Sequence, residues 1–123
     1  MLKIVFCLHR LPHLSRAQFH DYWFNRHGPL VRQHAAVLGI RRYVQTHSAD
    51  DTLSMGMRAA RGAPEPYDGV AELWFDDDAF EAARRDPAAR EAGRILLEDE
   101  RRFIDLARSP LWLARERPVV ETQ

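Results

Sequence analysis

At 123 residues the chain has room for one sheet and a layer of helices, near the size at which a single core is stable. Its 18 basic and 18 acidic side chains cancel, so no net field exists to hold a polyanion or an anionic bilayer surface, which argues against nucleic acid and membrane partners. A lone cysteine, Cys7, excludes an internal disulfide, and neither a secretory leader nor a run of roughly 20 apolar residues is present, so a soluble, cytoplasmic protein is expected.

Residues 2–8 are rich in β-branched and aromatic side chains, which predicts a first strand with Ile4, Phe6 and Leu8 on one face and Val5 and Cys7 on the other. Ser15, with Gln18 three residues on, reads as a capping box that opens a helix, and Leu14 and Phe19 are placed as a hydrophobic staple. At about 100° per residue Phe19, Trp23 and Leu30 fall near one line, with Tyr22 to one side and His27 and His34 to the other. His27 is therefore expected at the edge of an apolar stripe. Gly28-Pro29 is expected to interrupt this helix, which resumes with Pro29 in a first-turn position and stops at Gly39. Residues 41–47 read as a second strand, alternating Tyr43, Gln45 and His47 against Val44 and Thr46.

Residues 48–66, with two glycines, two prolines and little periodicity, read as a long loop whose Met55 and Met57 would cover an apolar ligand. A third strand follows over 67–75, with Val70, Glu72 and Trp74 opposite Ala71, Leu73 and Phe75. Asp76 to Asp78 offer N-caps for a short helix, and Asp86-Pro87 starts another with Ile95, Leu96, Phe103 and Leu106 as its apolar contacts. Residues 111–120 supply a last strand. The order β-α-β-β-α-β defines an α+β, ferredoxin-like split βαβ sandwich, its antiparallel sheet covered by helices on one side. Apolar residues on both faces of strands one and three predict a homodimer through sheet packing.

MLKIVFCLHR, the Ser-capped FHDYW, then RHGPLV, RRYVQTH, YDGVAELWFDD and DERRFID follow one another along nearly the whole chain. In that order they resemble the EthD family of dimeric α+β barrel proteins. The resemblance implies a single EthD-like domain over 1–123 whose sheet pairs with that of a second copy to close a barrel. A related muconolactone-type isomerase places a functional histidine directly after the same first helix, the point that His27 occupies here. Some dimeric barrel cyclases and oxygenases carry a histidine beside the proline that opens the second helix; this chain has Asp86-Pro87-Ala88-Ala89 there.

Among candidate catalytic residues His27 leads, because imidazole changes charge near neutral pH and the Gly-Pro pair after it frees space for a ligand. Its structural alternative is to cap the last carbonyls of the first helical segment. Glu72, if it faces inward between Val70 and Trp74, needs a partner or a raised pKa; an ion pair across the sheet is the plainer role. His47 stands at a strand end, in reach of a pocket mouth. Tyr22, Trp23, Tyr43, Trp74 and Met55 are expected to bind substrate, phenols as donors and indoles and thioether as apolar walls.

His20, His27 and His34 recur every seventh residue, which spaces them about 10 Å apart along a helix, whereas helical ligand pairs sit at i, i+4. No metal is expected. Glycine-rich phosphate loops are absent, which argues against nucleotides, and no cofactor is expected. Cys7 reads as a core residue and the charged series over 81–108 as a solvated helix face; Asp105, in an RFID segment similar to the family's FID signature, is implied by that resemblance to anchor the final turn. The expected activity is cofactor-independent proton transfer (isomerisation, elimination or decarboxylation, with oxygenation as a further possibility) on a small apolar carbonyl, lactone or aromatic compound. The alternative is a non-catalytic small-molecule-binding or accessory protein of a degradative or biosynthetic pathway.

Overall fold

The computed structural model describes residues 1–49 and 51–122. Strands β1 (Leu2–Leu8), β2 (Ile40–His47), β3 (Gly69–Phe75) and β4 (Leu111–Ala114) form one sheet in the order β2-β3-β1-β4, every neighbouring pair antiparallel. Helices α1 (Arg16–Tyr22), α2 (Gly28–Leu38), α3 (Thr52–Arg61), α4 (Asp77–Ala83) and α5 (Pro87–Glu100) complete the chain's main elements. This is the split βαβ, ferredoxin-like α+β arrangement: β3 lies between β1 and β2, so each helical crossover spans a strand inserted from elsewhere in the chain.

The register puts Ile4 opposite Leu73 and Phe6 opposite Ala71, and Phe6, Leu8 and Ala71 pack with Phe19, Trp23, Phe103 and Ile104 into the core. Phe19, Leu8 and Phe103 are fully buried, each contributing about 1.5–3 kcal/mol of transfer free energy. Trp23 can lie flat on β3 only because residue 69 is glycine: a Cβ there would stand 2.7 Å from the indole Cη2. The opposite sheet face carries Val5, Cys7, Val44 and Val70 beside two charged devices. Lys3 pairs with Glu72 at 2.5 Å, and the Arg42 guanidinium stacks 4.5 Å over Trp74.

The capping box is present as expected, Ser15 Oγ accepting from the Gln18 N–H at 3.0 Å and Gln18 Oε1 from the Ser15 N–H at 2.8 Å. The expected break at Gly28-Pro29 does not occur. Gly28 keeps helical φ −53° and ψ −52°, and its N–H bonds to the carbonyl of Trp23, five residues back. Residues Trp23–His27 thus form a single π turn that joins α1 to α2, and this wider turn accommodates Pro29, which has no N–H to offer. Gly39, at φ 76°, ends α2 as expected.

The long loop is corrected as well. Asp51 accepts from the Ser54 N–H at 2.8 Å and Gly62 closes with φ 58°, so capping at both ends supports helix α3 inside the segment read as a loop. Strand β4 stops at Ala114, well short of residue 120. Among the described residues no helix is long and apolar enough to cross a membrane.

Candidate active site

The π turn decides the geometry of the site. In a regular helix positions five apart point about 140° away from each other, which sets Tyr22 and His27 on opposite sides of the stripe. A turn closed by an i→i+5 bond brings them round to one face. Both then meet α5. The Tyr22 hydroxyl donates to Asp99 Oδ1 at 2.6 Å, and His27 Nδ1 donates to Asp99 Oδ2 at 2.8 Å. With Nδ1–H committed to a carboxylate, Nε2 is the lone-pair nitrogen of the ring, and it has no protein partner among the described residues.

His27 is therefore not at the edge of the core but in it, 5 % exposed, with the Phe103 ring tilted at 54° and centred 5.0 Å from its own. Burial lowers its pKa, and the hydrogen bond and charge of Asp99 oppose that, so the resting form is neutral imidazole. Tyr22 is held protonated because burial, followed by its bond to Asp99, raises its pKa.

The His27 ring borders a cavity of about 40 Å³ between helices and sheet, whose wall includes Trp23, Tyr43, Leu73, Leu96 and Glu100. Space of this size holds about one water. Glu100 is the second titratable group there: burial first, then the neighbouring Asp99 carboxylate, push its pKa up to about 7. No hydrogen-bond donor meets its carboxylate among the described residues. Tyr43, whose phenol burial raises to about 12, forms the wall between this cavity and an open groove of about 340 Å³ at the β2 edge.

Gln45 organises the remaining polar groups. Its amide nitrogen donates to the Trp23 carbonyl and the Tyr43 hydroxyl oxygen, both at 2.9 Å, and its carbonyl accepts from His47 Nε2 at 2.8 Å. His47 stacks on the Trp23 indole at 4.5 Å and borders neither the cavity nor the groove. Burial and the nearby His20 lower its pKa.

The structure thus brings together His27, Tyr22, Trp23 and Tyr43 from the expected residues. Glu72 and Trp74 lie elsewhere, on the sheet face away from the helices: Glu72 against Lys3 and Trp74 between Arg42 and Glu116. The expected inward orientation of Glu72 is corrected by the register, which pairs it with Val5 and Val44. Met55 is 69 % exposed on α3 and lines a separate groove of about 520 Å³ with Arg16 and Arg58.

Asp99 and Glu100 correct the expectation of a solvated face on α5. Ala89, Ala92, Leu96 and Phe103 are all buried, and Asp99 at 9 % exposure continues their stripe. A carboxylate at an i+3 step of an apolar stripe is the sequence signal that marks it. Asp105 does anchor the last turn, its N–H bonded to the His9 carbonyl at 2.8 Å and its carbonyl accepting from Ser109 Oγ at 2.7 Å.

A ferredoxin-like sheet whose helical side carries a buried histidine–carboxylate pair is the class that fold and site define. The chain belongs to the EthD domain family, whose model matches residues 11–107. Among solved structures it is similar to an EthD (ethyl tert-butyl ether D) family protein of Bacillus halodurans, with 19 % identity, 95 % of this chain and 100 % of that one covered, and TM-score 0.60. It is also similar to SnoaB of Streptomyces nogalater, described as a cofactor-independent oxygenase, with 20 % identity, coverages of 98 % and 97 %, and TM-score 0.53. A dimeric protein of ferredoxin-like fold from Bacteroides fragilis matches at 10 % identity, coverages of 94 % and 95 %, and TM-score 0.57. No curated protein matches the chain.

Proposed function

We propose that this protein is a cofactor-independent enzyme that moves a proton on a small, mostly apolar substrate held between helices and sheet. The observation that carries the reading is the His27–Asp99 hydrogen bond at 2.8 Å beside a cavity that Glu100 also lines. In this reading His27 Nε2 is the base. It takes a proton from a carbon or hydroxyl next to a carbonyl or aromatic ring, and Asp99 stabilises the imidazolium that forms. Glu100, close to half protonated at neutral pH, supplies or receives the second proton. Tyr22 holds Asp99 and does not reach the substrate.

The same deprotonation begins an isomerisation, an elimination or the activation of an electron-rich ring toward dioxygen. The description of SnoaB as a cofactor-independent oxygenase supports chemistry without a resident cofactor. The family, and a mostly apolar cavity that His27 and Glu100 line, support a small molecule as its partner.

The working unit in this proposal is a homodimer joined through the sheets. Val5, Cys7, Val44 and Val70 form a largely apolar face, and Trp112, paired with Val5 on the edge strand, is 48 % exposed. An apolar sheet face of this kind calls for a partner, and the dimeric Bacteroides protein of the same fold supports a second copy.

The cavity's volume favours a second reading. At about 40 Å³ it admits no substrate as it stands, and a binding protein would need only the outer groove while the His27–Asp99 pair locked helix to helix. Turnover of small carbonyl, lactone and phenolic compounds by the intact protein, His27→Ala and Glu100→Gln separates the two. The enzyme reading predicts that His27→Ala lowers a detected rate by about two to four orders of magnitude with substrate affinity nearly unchanged. Ligand binding with no turnover of any bound compound favours the binding protein, whereas a fully active His27→Ala protein removes His27 as the base.

A further inference from the structure

We infer that the groove at the β2 edge is a binding site for an aromatic or other planar apolar compound that carries a carboxylate or similar anion, with Arg32 as the group that recognises the charge. The inference deepens the reading above by naming the ligand class, and its binding arm holds whether or not turnover occurs.

The groove lies against one face of the helix that runs through the π turn. Phe24, Gly28, Val31 with Arg32, and Ala35 follow at three- to four-residue steps and form one wall, while Ile40 and Tyr43 of β2 form the other. At about 340 Å³ it falls within the size range of small-molecule sites. Phe24 is 64 % exposed at its rim, an aromatic face with no buried role of its own. Gly28 adds no side chain to the floor, where a Cβ would make ordinary contact 3.4 Å from the Gln45 amide nitrogen.

The charges that line the groove are one-sided. Arg32, Arg41 and Arg42 contribute and no carboxylate does, although the chain as a whole is neutral. Two of the three are already engaged: Arg41 pairs with Asp76 at 2.5 Å, and Arg42 stacks on Trp74. Arg32 has no ion pair or hydrogen bond among the described residues, so its guanidinium is left to accept a planar anion in bidentate fashion. The larger groove by α3 lacks this asymmetry. Its Arg16 and Arg58 face Asp51 and Glu65, and Arg58 pairs with Glu65 at 2.8 Å.

Val31 and Tyr43 line both the groove and the His27 cavity. A ligand anchored by its anion at Arg32 and by its ring against Phe24 therefore directs its other end toward the wall behind which His27 and Glu100 lie.

Calorimetric titration with naphthoate and its neutral analogue naphthamide tests the site without any turnover. The expected result is about tenfold tighter binding of naphthoate at low salt, the value of one charge-assisted contact, shrinking as ionic strength rises. Arg32→Gln should erase the preference while leaving naphthamide binding intact, Phe24→Ala should weaken both probes, and His27→Ala should leave both unchanged. Equal affinity for the two probes, a preference that survives Arg32→Gln, or amide chemical-shift changes centred on Met55 and Arg58 instead of Phe24 and Ala35 would each overturn the assignment. Failure of His27→Ala to affect turnover would count against the acid–base reading alone.

Discussion

Tyr22 and His27, five residues apart on one continuous helix, hydrogen-bond the two oxygens of a single buried carboxylate, Asp99. The contact exists because the π turn between them rotates one toward the other. It ties the first helical segment to α5 and fixes which imidazole nitrogen faces the cavity.

Asp99→Asn tests that role. The amide is the same size but can accept from only one of the two donors, so one buried donor is left unmet at about 1–3 kcal/mol. Asp99 also raises the His27 pKa against the effect of burial. The His27 pKa, followed by proton NMR of the ring, should therefore fall further in Asp99→Asn. An unchanged His27 titration would mean that the carboxylate does not govern the ring.

Glu100 makes a pH-dependent contribution whose sign follows from its raised pKa. The folded state holds this proton up to about 7 while an ordinary carboxyl releases it near 4.5, so stability falls as pH rises between those values, by on the order of 3 kcal/mol. Glu100→Gln removes the loss: the variant should be more stable than the parent protein above pH 7 and gain nothing below about pH 4 in denaturant titrations. His27 acts in the opposite direction. Its pKa is lowered from 6.5, so the stability it confers is complete above that pH and is lost as pH falls. In Glu100→Gln the remaining slope near pH 6 should be upward; a downward slope would exclude the assignment of the raised carboxyl to Glu100.

Gly69→Ala should disrupt the site from behind. The added methyl would overlap the Trp23 ring, the wall shared by the cavity and the His47 stack. A loss of about 1–3 kcal/mol is expected, the usual cost of an overpacked core, with a shift of the His47 ring resonances. Wild-type stability in this variant would show that Trp23 has room to move.

The proposed dimer rests on the outer sheet face. Trp112→Lys places a charge beside Val5 on the edge strand of that face, and sedimentation should show a monomer at micromolar concentration where the parent protein is a dimer. A parent protein that is itself a well-folded monomer would remove the interface.

What was legible in the sequence is local. Ser15 with Gln18 marks the first helix, Gly39 its end, and the alternation in residues 2–8 and 69–75 assigns each strand its faces. The site was half legible: His27, Tyr22, Trp23 and Tyr43 stand out as residue types, yet a fixed 100° step separates Tyr22 from His27 because nothing in WFNRH announces a wider turn. Asp99 and Glu100 sit within a run of charges, where only their place on the buried stripe of α5 distinguishes them from solvated neighbours. Glu72 shows the converse. Its strand position is right, but which sheet face the helices cover is a tertiary fact, and α3 stayed hidden because its apolar residues bury nothing.

The most direct test of the acid–base site is carbon NMR of the side-chain carboxyls, titrated in the intact protein beside the His27 ring. The expected result is a Glu100 midpoint at about 7, with His27 titrating below 6.5. A Glu100 midpoint near the ordinary 4.5 would contradict it, because the cavity would then hold a permanent carboxylate and no group poised to exchange a proton at neutral pH.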